Sequence, residues 1–253
     1  MNNEERTRLL LSIARCPKMQ DCLERPQERH HCSEIVGVQS KPLKSIQLPE
    51  PWSGQIEKAK VLFLSSNPSI GAHEEYPSWS WADEDIVDFF QNRFGGGRKV
   101  WIKDGLYPLR ERDEYGPKKE WVRYWAAVGK RAGELWVDRV PQAGIDYALS
   151  EVVHCKSTAE RGVQCAAEEC VPRYLEELVA AANATVVVCM GSWSASAVRR
   201  QWGIPESSKV HGPVRVGERD RYFTFLPNRN ARGHRSFSRC VGEDGLAALR
   251  PLL

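Results

Sequence analysis

The chain has 253 residues, 42% hydrophobic and 27% charged, with a formal net charge of +3 at pH 7. That length buries one full α/β core or at most two small domains. Mean hydropathy is −0.49, and no window approaches the run of about 18 apolar residues that a transmembrane helix needs. The N-terminal Met-Asn-Asn-Glu-Glu-Arg carries no apolar signal segment, so a cytoplasmic protein with no membrane partner is expected.

The first helix is predicted over Glu4 to Cys16, where Leu9, Leu10, Ile13 and Ala14 fall at helical spacing. Residues 17–58 are irregular and polar, with five prolines. A loop that long needs something other than an apolar core to order it. Residues 1–58 thus read as a Cys-containing helix and extended segment attached to one domain that spans 1–253. Four short apolar runs follow, at Val61–Leu64, Tyr147–Val153, Thr185–Met190 and Tyr222–Leu226. Helical patterns lie between them at Asp83–Arg93, Lys119–Leu135, Ala167–Ala182 and Ser194–Trp202. Alternating strands and helices predict βαβ units, and near-continuous apolar strands predict helices on both faces. The expected fold is α/β, a three-layer αβα arrangement around a mostly parallel four-stranded sheet.

Eight cysteines in a cytoplasmic chain read as metal ligands rather than disulfides. Cys16, Cys22 and Cys32 form one group, and Cys155, Cys165 and Cys170 another. Their spacings are not those of a zinc finger. Between Ser196 and Cys240 there are ten Lys/Arg against three acids, and from Arg221 to Arg239 five Arg and no acid. That segment is either a solvated basic face or an edge that contacts phosphates.

In such sheets ligands bind beyond the carboxyl ends of the strands. There the sequence has Ser65-Ser66-Asn67-Pro68, then His154-Cys155-Lys156-Ser157, then Gly191-Ser192-Trp193, then Pro227-Asn228-Arg229-Asn230. No Gly-x-Gly-x-x-Gly and no Walker loop is present, so a nucleotide cofactor is not expected. No Gly-x-Ser-x-Gly elbow is present either.

From about Val61 to Phe237 these residues resemble the uracil-DNA glycosylase superfamily. The strand ending in Asn67-Pro68 is similar to its first motif, an Asp or Asn before Pro. Leu226-Pro227-Asn228-Arg229-Asn230-Ala231 is similar to its second. Val152-Val153-His154-Cys155, with Cys170 fifteen residues on and then Tyr174-Leu175, resembles the middle block of the iron–sulfur branches. The resemblance implies a [4Fe–4S] cluster held by Cys16, Cys155, Cys170 and either Cys22 or Cys32. A structural four-thiolate zinc site fits the same residues.

It also implies a monofunctional DNA glycosylase that flips a base and hydrolyses its N-glycosidic bond. Asn67 would orient the water, although a strand-end Asn before Pro also makes an ordinary Asx turn. Asn228, standing where the family has His, would donate to the base O2. Trp79, or second Tyr76, would stack on the base. Glu74 or Glu75 would assist as a base, or simply be solvated. Arg229, Arg232, His234 and Arg235 would grip DNA phosphates.

Glu151 stands where the uracil-specific branches carry a base-reading Asn. An ionised carboxylate only accepts, which suits the N4 amino group of a cytosine. A modified cytosine such as glucosylated 5-hydroxymethylcytosine in phage DNA, removed as antiviral defence, is the expected substrate. The alternatives are a uracil repair enzyme and a non-catalytic DNA-binding module.

Overall fold

The computed structural model describes residues 1–227 and 236–253. In chain order its helices are α1 (Asn3–Ala14), α2 (Pro17–Glu24), α3 (Ser33–Gly37), α4 (Asp83–Asn92), α5 (Arg123–Leu135), α6 (Val163–Cys170), α7 (Glu176–Ala181), α8 (Ser192–Trp202) and α9 (Phe237–Leu249). Its strands are β1 (Val61–Ser65), β2 (Ile102–Lys103), β3 (Tyr107–Pro108), β4 (Tyr147–Glu151), β5 (Val186–Met190), β6 (Val210–Val216) and β7 (Arg219–Leu226).

The class is mixed α/β around one mostly parallel sheet. The sheet has five strands in the order β4-β1-β5-β7-β6, with β4, β1, β5 and β7 parallel and β6 antiparallel to β7. The expected four-strand count is therefore one short. The missing strand, β6, is an edge strand with Gly212-Pro213 inside it and most of its residues half-buried or exposed. It has no apolar run to betray it, and an edge position is where a strand tolerates Pro. Of the four anticipated strands, β1, β4 and β5 are buried throughout, and β7 is buried at alternate and central positions with its first two residues exposed. Among the described residues, no helix is long and apolar enough to cross a membrane.

The parallel register brings Ser65 beside Glu151 and Met190 beside Leu226. The residues that follow β1, β4, β5 and β7 consequently emerge at one edge of the sheet. The pattern predicted over Ala167–Ala182 is helical but not uniform. Val171–Leu175 forms a π-helical turn between α6 and α7. Pro172 lies in that turn and has no N–H to continue the α-helical ladder.

Residues 17–58 are ordered by docking. Ile46 to Gly54 is buried throughout, and its backbone bridges the free edge of β4 through Ser53 N to Leu149 O at 2.8 Å and Leu149 N to Ser53 O at 3.1 Å. This covers an edge that would otherwise be open to pairing. Further back, α3 lies on α6 across Gly162. Gly162 has a φ of +76°, and a Cβ there would stand 2.5 Å from the Ile35 backbone nitrogen. Gly162→Ala is expected to lower stability by about 2 kcal/mol or more, from left-handed strain and the clash together. Gly203→Ala, also left-handed but facing open space, should cost about 1 kcal/mol. Urea denaturation of the two variants checks the ranking.

Candidate functional site

A cavity of about 570 Å³ opens at the carboxyl ends of β1 and β4. Its floor is set by one carboxylate. Glu50 lies between Pro49 and Pro51, and the following proline holds it in extended backbone. Its N–H donates to His154 O at 2.9 Å, and its own carbonyl is 2.8 Å from His154 Nδ1. The side chain is buried. Oε1 accepts from Arg93 Nη1 and from Ser53 Oγ, both at 2.8 Å, and Oε2 accepts from the Tyr76 hydroxyl at 2.9 Å, with Lys156 Nζ at 3.5 Å. Burial alone would raise the Glu50 carboxyl. Arg93, then Lys156 and the two hydroxyls, overcome that and hold it down at about 2.

Arg93 caps the end of α4 and is buried in turn. Its second amino group binds Glu74. Its guanidinium lies 5.0 Å from the Phe89 ring, 5.1 Å from Trp125 and 5.3 Å from Tyr76. Lys156 sits 3.6 Å over the Tyr76 ring. Arg93 and Lys156 are thus paired with Glu50 and Glu74, while the third buried cation of the cavity, Arg131, forms no ion pair among the described residues.

Glu151 is the carboxyl left over. It ends β4, is buried, and its Oε2 has no hydrogen-bond partner among the described residues. Burial, and then the Glu50 charge, push it well above the usual carboxylate range, and Lys156 and Arg93 offset only part. The expectation of an ionised, acceptor-only Glu151 is therefore corrected. The site favours its protonated form, a carboxylic acid with one donor and one acceptor.

Asn67 lies just past β1 and lines the same cavity, with Nδ2 3.0 Å from Pro68 O and 3.3 Å from Ser157 Oγ. The cavity aromatics are Tyr124 and Trp125 of α5. Tyr124 is hydrogen-bonded to Ser65 Oγ. Neither of the two rings expected to stack on a base lines the cavity. Trp79 lies under the Arg15 guanidinium at 5.4 Å, and its carbonyl accepts from Arg15 Nη1 at 3.1 Å. Tyr76 is buried between Lys156 and its hydrogen bond to Glu50. Glu75, away from the cavity, pairs with Lys99 at 2.8 Å. Asn228, Arg229, Arg232, His234 and Arg235 lie outside the described residues. Pro227, just before them, accepts from Arg131 Nη2 at 3.1 Å, and buried Arg131 lines the cavity.

Behind the cavity, Cys16, Cys22, Cys32, Cys155 and Cys170 are all buried and converge. Cys16 joins α1 to α2, Cys22 lies in α2, Cys32 precedes α3, Cys155 follows β4, and Cys170 ends α6 just before the π turn. A hydrogen bond links Cys32 to Cys170, raising the first thiol and lowering the second. Burial raises Cys155, and the fields of Cys170, Cys16 and Cys22 add to it. The Tyr174 hydroxyl lies 3.7 Å from Cys16 Sγ, and Ser33 Oγ 3.8 Å from Cys22 Sγ. Cys165 is exposed and stands apart. Among the described residues, which include all eight cysteines, there is no disulfide, and no group of three or more His, Cys, Asp or Glu is arranged to hold a metal ion as it stands. The donor set is nonetheless what a thiolate-bound group requires: several sulfurs sharing one desolvated field.

Sequence reasoning missed Glu50, Arg93, Lys156, Tyr124, Trp125 and Arg131. For Glu50 a signal existed, a charged residue held between two prolines in the segment read as irregular. In comparisons with known proteins, no family model matches the chain and no curated protein matches it.

The raised acid has a consequence for stability. Above about pH 4.3 the unfolded chain ionises Glu151 while the native chain keeps the proton. Stability contributed by this site is therefore full below that pH and is lost as pH rises towards the native pKa, on the order of 1 kcal/mol per pH unit. Glu151→Gln removes the penalty. Urea denaturation at pH 5, 6 and 7 should show the variant gaining on the parent protein as pH rises, and a pH-independent difference contradicts the assignment.

Proposed function

We propose that this chain is a monofunctional DNA glycosylase acting on a modified cytosine, such as glucosylated 5-hydroxymethylcytosine in phage DNA, in antiviral defence. The observation that carries the reading is the cavity that Asn67 and Glu151 share. Hydrolysis of an N-glycosidic bond needs an oriented water, a site for the flipped base and stabilisation of its departing charge. Asn67 orients the water. Neutral Glu151 donates its O–H to cytosine N3 and accepts from the N4 amino group.

The same acid, with its proton on the other oxygen, also matches uracil, so the base edge alone does not choose. The cavity of about 570 Å³ is within the range of sites that enclose whole small-molecule ligands.

The convergent thiols support a bound metal group with a structural role. Thiols that share one field without forming a single-ion site suit an iron–sulfur cluster, which holds its thiolates further apart, better than one zinc ion at about 2.3 Å bonds. Cys16, Cys155 and Cys170 would be three of its ligands. The fourth place falls to Cys22 or Cys32, both buried beside the other thiols. The group would pin α2 and α3 beside the cavity.

A base-release assay by mass spectrometry tests the function on uracil-containing DNA, plain DNA and phage DNA carrying glucosylated hydroxymethylcytosine. Release from the phage DNA alone is expected. Release of uracil would favour a repair enzyme, and binding without any abasic product a DNA-binding module. Asn67→Ala should abolish release and leave DNA affinity within a few-fold, and unchanged turnover removes Asn67 from the reaction. Cys155→Ala should lose bound iron and its visible absorbance, and an iron-replete folded variant contradicts the ligand role.

A further inference from the structure

Four carboxylates line the cavity: Glu50, Glu74, Glu151 and Glu160. Three are committed. Glu50 is bound by Arg93 and Lys156, Glu74 by Arg93, and Glu151 keeps its proton. Glu160 is different. It is exposed at the cavity mouth and, among the described residues, forms no ion pair with a cation. Its Oε1 accepts a short hydrogen bond from Ser66 Oγ, the residue next to Asn67.

The backbone that presents it is strained. Ala159 and Glu160 are consecutive non-glycine residues with φ of 52° and 56°, in the left-handed region. Single residues visit that region sparingly, and two in succession persist only where the surroundings over-determine them. Here they do. Ser157 N donates to Pro68 O at 3.1 Å on one side of the turn, and Val163 N donates to Glu160 O at 3.2 Å on the other. Gly162, tight against Ile35, closes it. The turn therefore lies along the Ser66–Ser69 loop and holds its carboxylate on Ser66, in the lining of the cavity that Asn67 also lines.

We propose that Glu160 is the general base of the reaction, taking a proton from the water that Asn67 orients. This rests on the glycosylase reading above. Asn67, an amide, cannot accept that proton. In the step, the water oxygen bonds to the sugar C1′ as the C1′–N bond breaks. The bonding pair leaves on the base, which departs as an anion and takes a proton from solvent. The proton lost by the water goes to Glu160 and then to solvent. No other co-reactant is needed.

The test is single-turnover base release, with DNA affinity measured in parallel, on the full chain and on Glu160→Gln, Glu160→Asp and Glu160→Gly. A general base contributes about 10²–10⁴-fold. Glu160→Gln should therefore slow release at least about 100-fold with DNA affinity within about threefold, and Glu160→Asp should recover part of the rate. Glu160→Gly should be as slow as Glu160→Gln, be partly rescued by added formate, and melt no lower than the parent, because glycine accepts the left-handed conformation. Wild-type rates in Glu160→Gln overturn the proposal. So does a loss of rate matched by a loss of affinity, or a lowered Tm in the glycine variant without formate rescue, either of which makes the residue structural. Absence of release by the parent chain from all three DNAs overturns the glycosylase reading itself, and this proposal with it.

Discussion

The Glu50 carboxylate is the interaction on which the rest of the site depends. An isolated carboxylate taken out of water carries a desolvation cost of several kcal/mol even after relaxation. Glu50 is stable there because both oxygens are partnered: Arg93 and Ser53 bond to one, Tyr76 bonds to the other, and the Lys156 charge lies 3.5 Å away. Each of those partners comes from a different part of the chain. The buried charge thereby fixes the end of α4, the loop after β1, the segment after β4 and the docked N-terminal strap relative to one another.

Charge balance then decides the state of Glu151. Arg93 and Lys156 already face Glu50 and Glu74, and among the described residues Glu151 forms no ion pair of its own, so burial and the Glu50 charge outweigh the pull of the two cations. Its proton stays on, and a residue that reads as an anion becomes a donor and acceptor in one group. The network is a polar floor, and the carboxylate free for proton transfer stands at the mouth, where water reaches it.

The six residues from Glu151 to Lys156 connect the two halves of the molecule. Glu151 and Lys156 face the cavity, Val152 and Val153 are buried, His154 holds the Glu50 backbone, and Cys155 joins the thiols. His154 is kept neutral, held down at about 4 by burial, and its ring meets Tyr174 edge-on at 5.6 Å. Tyr174 in turn reaches Cys16. A group bound by the thiols would therefore stiffen the cavity floor through ordinary packing and hydrogen bonds.

By itself the sequence determined the parallel strands, because continuous apolar runs such as Val186–Met190 are stable only when covered on both faces. It also determined which segments end at the carboxyl edge of the parallel strands, where Asn67 and Glu151 line one cavity. Tertiary structure alone decided the rest. β6 carries no apolar run, so only its pairing with β7 makes it a strand. Trp79 had the right distance along the chain to stack on a base, yet Arg15 of α1's carboxyl end covers it instead. Arg93 and Lys156 look like surface cations until their partners are seen. The reason is common to all of these: apolar periodicity is local and can be read along the chain, whereas the pairing of buried charges depends on which distant segments meet, and no local pattern records that.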